Sequence, residues 1–183
     1  MPSSLPLLAE TPCVMRTAGW PDYELVDSGG GRKLERYGAF RVVRPEPQCL
    51  WQSRLTEAEW AAAEAVFDPE GEEDAGRWRF SRELEQRWPL AWRDVRFFGR
   101  FTAFRHLGFF PEQAANWEWL DAAIRGAGRD VRLLNLFGYT GVASLVCAAA
   151  GAAVTHVDAS KRAIGWAREN AELARARPEI RSA

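Results

Sequence analysis

The chain has 183 residues with 24 Lys+Arg, 25 Asp+Glu and a formal net charge of -1. This balance argues against capture of nucleic acid by the charge of the whole molecule, and only a local basic face is left open. The hydrophobic fraction of 47% and the charged fraction of 27% are typical of a folded globular protein and exclude a disordered chain.

The first twenty residues read as an irregular lead-in, and three short alternating runs follow. The runs are Tyr23–Asp27, Arg32–Tyr37 and Phe40–Arg44, and Ser28–Gly31 joins the first two. Alternation with a glycine-rich joint is typical of strands connected by a hairpin. The sequence therefore begins its folded part with a small sheet.

A capping box and an aromatic stretch follow the sheet. Thr56 with Glu59 predicts a helix, whose apolar stripe takes in Trp60, Ala63 and Phe67. From residue 78 to residue 104, aromatic side chains alternate with arginines. This pattern favours strands with one buried aromatic face and solvated arginines; the alternative is a surface on which single-stranded RNA bases stack. Residues 21–110 are thus predicted to form a small, mostly β, α+β accessory domain.

The last third of the chain changes character. Asn116 is predicted to cap a helix that ends at Gly126. Two strand candidates follow that we expect to be fully buried, Val131–Phe137 and Ala153–Val157. An alanine-rich helix over Val142–Ala150 joins them. Ser160 caps a last helix, and Glu179–Arg181 is a candidate third strand. This β-α-β-α order predicts a parallel sheet with right-handed crossovers in residues 111–183.

Neither a membrane span nor a secretion signal is predicted. Residues 133–157 carry no formal charge and are long enough to cross a bilayer, but polar and glycine residues divide them into strand, turn, helix and strand. The amino terminus lacks a basic start. Cys13, Cys49 and Cys147 form no CxxC pair, so we expect no zinc site and no disulfide framework, and a cytoplasmic location.

Candidate chemistry lies at the turn between the first strand and its helix. Gly138 and Gly141 allow close approach of the backbone to a ligand, and the helix amino terminus offers free N–H groups to an anion. Asp158, at the end of the next strand, is placed to accept both hydroxyls of a ribose. A dinucleotide fingerprint has three glycines where this turn has two, which disfavours a nicotinamide cofactor and favours a nucleoside with a zwitterionic tail. The plainer alternative is a structural turn, with Asp158 capping the next helix.

Three motifs carry a family resemblance. They read LNLFGYTG at 134–141, VDAS at 157–160 and WAREN at 166–170, and the stretches at 23–38 and 102–116 are similar as well. The chain resembles class I S-adenosylmethionine-dependent methyltransferases, in particular the bacterial ribosomal RNA large-subunit methyltransferase-like group. The resemblance implies S-adenosylmethionine (SAM) as cofactor, an RNA substrate and the first half of a Rossmann-like methyltransferase sheet after the accessory domain.

The same resemblance implies the residues that bind the cofactor. Asp158 would hold the ribose, with Ala159 and Ser160 beside the adenine, and the preceding loop would close over the cofactor. The residues implied in the turn and the loop are Asn135, Phe137, Gly138, Tyr139, Thr140 and Gly141, with His106 and Gln113.

The chain also departs from that family. It contains no Asp-Pro-Pro or Asn-Pro-Pro acceptor motif, so no catalytic residue is assigned, and we expect a truncated protein that lacks the acceptor-binding half. The first strand is central in the family's sheet, so an unpaired apolar edge is expected, and with it self-association. Two other functions stay open: a non-catalytic fragment or interaction module, and an NAD-dependent oxidoreductase.

Overall fold

The structure is a computed structural model and describes residues 14–71 and 75–175. Residues 14–19 have no regular structure, in agreement with the predicted lead-in. The rest of that lead-in and the candidate strand at Glu179–Arg181 lie outside the described residues.

The amino-terminal part forms a five-stranded sheet in the order β1-β2-β3-β4-β5. All neighbouring strands are antiparallel except β3 and β4, which are parallel, and the helix α1 lies in the connection between those two. The three predicted runs are confirmed as strands. The bounds are β1 Tyr23–Gly29, β2 Arg32–Tyr37, β3 Phe40–Pro45, α1 Glu57–Ala61, β4 Ala65–Pro69 and β5 Gly76–Phe80.

The helix predicted after Thr56 is present but shorter than its apolar stripe. The capping box is confirmed, with the Thr56 hydroxyl accepting from the Glu59 N–H and the Glu59 carboxylate accepting from the Thr56 N–H. Phe67 was wrongly placed on this helix: it lies in β4, where Ala65 and Val66 pair with β3. Strand pairing with a buried neighbour overrides the helical spacing of these residues.

The aromatic stretch forms a hairpin that packs against the five-stranded sheet. It consists of β6 (Arg87–Trp92) and β7 (Val95–Arg100), which are antiparallel. Trp88, Trp92 and Phe97 are buried in the main aromatic core, whereas Arg93 and Arg100 form ion pairs with acidic side chains. The prediction of a buried aromatic face is confirmed. The prediction of solvated arginines is wrong for Arg100, which is buried where it pairs with Glu169, and Arg93 and Arg100 do not form a free basic surface.

The last third has the predicted β-α-β-α order. A 3-10 turn at Pro111–Gln113 leads into α2 (Ala114–Arg125), and β8 and β9 pair in parallel from Arg132 opposite Ala153 to Leu136 opposite Val157. The main core runs through both parts, since Trp117 of α2 and Val146 of α3 share it with Tyr37 of the first sheet. The other bounds are β8 Arg132–Leu136, α3 Val142–Ala149, β9 Ala153–Val157 and α4 Lys161–Arg175.

Two predictions about this part are wrong. The strands β8 and β9 are not fully buried: their alternate residues are exposed, Leu134 at 60% and Leu136 at 53%. The reason is that Leu133 and Val154 pack towards the helices on one face of the two-stranded sheet, while nothing in the described residues buries the other. Asn116 does not cap α2, which begins after Gln113; Asn116 donates to the Gln113 Oε1 at 2.8 Å instead.

Within residues 14–71 and 75–175, none of the helices is long and apolar enough to cross a membrane. The same residues contain no cluster of three or more His, Cys, Asp or Glu side chains that could hold a metal ion.

Candidate cofactor site

The turn between β8 and α3 has an unusual distribution of backbone conformations. Phe137 and Tyr139 adopt positive φ angles of 56° and 52°, and Gly141 has a φ of 84°. A left-handed conformation is strained in residues with a Cβ, at about 1–3 kcal/mol each, and such strain is concentrated at functional sites. The Phe137 side chain is 89% exposed. The turn therefore holds two aromatic residues in conformations that only its surroundings can maintain.

Asp158 faces this turn from the end of β9. Its Oδ2 accepts from the Tyr139 N–H and its Oδ1 from the Ser160 N–H, both at 2.8 Å. These hydrogen bonds, first that of Ser160 and then that of Tyr139, hold the pKa of Asp158 below its usual value. Since each carboxylate oxygen can accept more than one hydrogen bond, Asp158 is an ionised acceptor with capacity left for a ligand hydroxyl.

The alternative role predicted for Asp158, that of capping α4, is filled by Ser160. The Ser160 hydroxyl accepts from the Ala163 N–H in the first turn of the helix at 3.2 Å, which confirms the predicted capping by Ser160. The Asp158 carboxylate accepts from the N–H of Ser160 itself and from that of Tyr139. Asp158 therefore joins the turn to the residue that caps the helix.

An open pocket of about 350 Å³ lies against the turn. One wall is the turn with the start of α3, and the other is formed by the loop before α2. The lining residues include Phe109, Phe110, Gln113, Asn135, Tyr139 and Val142.

Five of the site residues implied by the resemblance do not line this pocket: His106, Gly141, Asp158, Ala159 and Ser160. The His106 ring stacks on Phe110, with ring centroids 4.7 Å apart, and does not line the pocket. Phe110 in turn stacks on Tyr139 at 5.4 Å. Asp158, Ala159 and Ser160 lie beyond the turn and outside the pocket lining. The structure brings the turn, Phe110 and Gln113 together around one pocket, and Asp158 is hydrogen-bonded to the turn through the Tyr139 N–H.

The side chains of Asn135, Ser144 and His156 form a polar cluster next to the turn, which the sequence analysis did not predict. The Asn135 amide donates to the Ser144 hydroxyl at 2.9 Å, and Ser144 lies 2.9 Å from the His156 Nδ1. The His156 imidazole occupies the space where a side chain at position 138 would begin. Gly138 is therefore required because of His156. Pairing β8 with β9 in parallel places Asn135 directly opposite His156, and this pairing could have indicated that the two side chains lie close together.

The amino terminus of α3 is left without local compensation. Its cap, Gly141, has no side chain to accept from the first N–H groups, and its first turn contains no acidic residue. Val142 and Ala143 of this turn line the pocket. An uncapped helix start with free N–H groups favours an anionic group.

Comparison with known proteins gives related structures. A SAM-dependent methyltransferase from Agrobacterium tumefaciens is 56% identical over 89% of this chain, with a TM-score of 0.84. A Streptococcus mutans protein described as a SAM-dependent methyltransferase is 19% identical over 78% of the chain, with a TM-score of 0.56, and shares the fold. A third structure, of a methyltransferase complexed with S-adenosylhomocysteine (SAH), is 18% identical with the same TM-score. No family model and no curated protein matches the sequence.

The matches cover the chain more fully than they cover the relatives. This chain spans 52% of the Agrobacterium tumefaciens protein and 39% of the Streptococcus mutans protein. With 56% identity over 89% of its length, the chain is similar to about half of a SAM-dependent methyltransferase and shares its fold.

Proposed function

We propose that this chain binds SAM at the turn between β8 and α3. The observation that carries the proposal is the position of Asp158, an ionised carboxylate bonded to the Tyr139 N–H of a strained turn beside an open pocket. A structural turn alone gives no reason for the left-handed Phe137 and Tyr139 or for an uncapped helix start. In a cofactor with a ribose and a carboxylate, the ribose hydroxyls would bind Asp158 and the carboxylate would bind the first N–H groups of α3.

The donors and acceptors present fit SAM. Asp158 would accept the ribose hydroxyls, and Ala159 and Ser160 would border the adenine. The turn residues 135–141 and the first N–H groups of α3 would meet the amino-acid end, with Gln113 at the pocket wall. His106 would act only through Phe110, on which it stacks. When bound, SAM supplies an electrophilic methyl group; the chain's own residues hold its two polar ends.

For the whole protein we propose methyl transfer to RNA. RNA as the acceptor rests on the resemblance to the ribosomal RNA methyltransferase-like group, because Arg87, Arg93 and Arg100 of the hairpin pair with acidic side chains. We also propose residues 21–110 as the accessory domain and residues 111–183 as the partial cofactor domain. A cytoplasmic location agrees with the unpaired thiols of Cys49 and Cys147.

Titration of SAH into the chain tests the cofactor proposal. We expect saturable binding by calorimetry and no comparable binding of NAD. Asp158→Ala should weaken SAH binding by about 1–3 kcal/mol, about 5- to 150-fold, because the ribose hydroxyls lose their acceptor. Asp94→Ala, at an exposed hairpin position, is the matched control and should leave the affinity unchanged. Equal affinity of the Asp158→Ala protein and the unaltered chain would show that the ribose is held elsewhere.

Self-association through an unpaired edge of the two-stranded sheet is a second proposal. Leu134, Leu136 and Val157 are exposed on β8 and β9, and each of these strands has a single partner among the described residues. Sedimentation velocity over a range of concentrations should show association, and Leu136→Lys should reduce it, since a charge opposes edge pairing. Lys161→Glu, on the exposed side of α4, is the control. A monomer at every concentration would contradict this proposal.

A further inference from the structure

A completely buried asparagine on α4 connects the turn to the hairpin of the accessory part. Asn170 has no exposed surface. Its Nδ2 donates to the Thr140 carbonyl and its Oδ1 accepts from the Phe98 N–H, both at 2.9 Å. The partners are 30 and 72 residues away in sequence, so one side chain joins three segments of the chain.

The first partner, Thr140, is held from two sides. Its hydroxyl donates to the Gly108 carbonyl at 2.6 Å, in the loop before α2, while its own carbonyl accepts from Asn170. Thr140 directly follows Tyr139, whose N–H binds Asp158. The orientation of the strained peptide units in the turn therefore depends on both anchors.

The second partner, Phe98, belongs to β7 of the hairpin. It lies opposite Pro89 of β6, and because proline has no N–H, Pro89 cannot donate to the Phe98 carbonyl. Beside Asn170 on α4, the Glu169 carboxylate accepts from Arg87 and from Arg100, each at 2.7 Å. These bonds fix α4 to both strands of the hairpin, so the position of Asn170 relative to the hairpin is fixed as well.

We propose that Asn170 is a positioning residue for the cofactor turn. Its hydrogen bond fixes the Thr140 carbonyl relative to the hairpin, and thereby also the neighbouring Tyr139 N–H that binds Asp158. Asn170 does not itself line the pocket. A left-handed Tyr139 persists only where its surroundings over-determine it, and Asn170 supplies part of that determination. The inference rests on the proposed function for its effect on affinity, but not for its effect on the turn.

Two substitutions separate the two hydrogen bonds. Asn170→Asp keeps the shape and still accepts from the Phe98 N–H, but at a pH where its carboxylate is ionised it cannot donate to the Thr140 carbonyl. Asn170→Ala removes both bonds. Leu34→Ala is the control: Leu34 is fully buried in the separate cluster beneath α1, so it lowers stability without touching the turn.

The measurements are SAH affinity at a temperature where each variant is folded, and amide hydrogen exchange without ligand. We expect Asn170→Asp to weaken SAH binding at least tenfold and to speed exchange in residues 137–141 while residues 96–100 stay protected. Asn170→Ala should expose both segments, and Leu34→Ala should leave affinity within twofold of the unaltered chain.

Each result decides one of the two proposals. Unchanged exchange at residues 137–141 in Asn170→Asp, or an affinity within twofold, would overturn the positioning role. Failure of both variants to fold would also overturn it, because Asn170 would then serve the fold as a whole. If the unaltered chain binds no SAH, the proposed function fails, while the exchange data still judge Asn170.

Discussion

Replacing Glu35 by alanine should lower the free energy of unfolding by about 3–5 kcal/mol, the range for breaking a buried ion pair by removing one partner. Glu35 is fully buried in β2. Its carboxylate accepts from the Arg44 Nε at 2.7 Å and from another guanidinium nitrogen of Arg44 at 2.8 Å. The hydroxyls of Tyr23 and Tyr37 each donate to it at 3.0 Å. Without Glu35, a buried guanidinium and two buried hydroxyls lose their acceptor.

The same carboxylate predicts an acid dependence of stability. Burial alone would raise the pKa of Glu35, but the charge and hydrogen bonds of Arg44 outweigh it and hold the pKa below its usual value. A depressed pKa gives a contribution that is complete above the unfolded-state value, about 4.3, and is lost as the pH falls through the folded-state value. The difference in stability between the unaltered chain and Glu35→Ala should therefore be constant near neutral pH and shrink in acid.

Urea unfolding at several pH values measures both effects. Glu24→Ala is the matched control, because Glu24 also pairs with an arginine across β1 and β2 but its side chain is 57% exposed. An exposed pair of this kind contributes about 0–1 kcal/mol. A loss at Glu35 no larger than that at Glu24 would mean that the buried cluster is not needed by the folded state.

The Glu35 cluster also reaches towards the cofactor pocket. Arg44 donates to the Arg105 carbonyl at 3.2 Å, and Arg105 donates to the Pro45 carbonyl at 3.3 Å. Arg105 begins the loop that contains Gly108 and Phe110, the segment that holds Thr140 and lines the pocket. The first sheet is thus bonded to the wall of the candidate site.

Local patterns were sufficient to predict the turn and its acid. A strand, a glycine turn and a helix are adjacent in sequence, and Asp158 follows the strand that pairs with β8. The carboxyl ends of two parallel strands meet at one edge of a sheet, so the meeting of Asp158 with the turn follows from topology. The same holds for Ser160, whose capping role needs only its near neighbours.

The supports of the turn could not be predicted because their partners are distant in sequence. Asn170 looks like one polar residue on a polar helix, and only the packing of α4 on the hairpin gives it the Phe98 N–H. Burial of the strands was overestimated for a related reason: the uncharged run predicts apolar surroundings on both faces, whereas the described helices cover one. Phe67 shows the same limit, since its helical spacing could not reveal its partner in β5, Trp78.

Replacing Gly138 by alanine should destabilise the chain by about 1–3 kcal/mol, as expected for overpacking, and should displace the turn from Asp158. The barrier is space alone, because Gly138 does not have a positive φ, whereas its Cβ would overlap the His156 imidazole. That ring cannot withdraw freely, since Ser144 lies 2.9 Å from its Nδ1. Stability in urea and SAH affinity should both fall.

A second substitution tests the cause of this loss. In a His156→Ala background the ring is gone, and Gly138→Ala should cost about 0.5 kcal/mol or less, giving a coupling of at least about 0.5 kcal/mol between the two positions. Gly165→Ala is the control: Gly165 lies inside α4 with open space around it, so alanine should stabilise the helix by about 0.5–1 kcal/mol. An equal loss for Gly138→Ala with and without His156 would show that the glycine is required by something other than the imidazole beneath the turn.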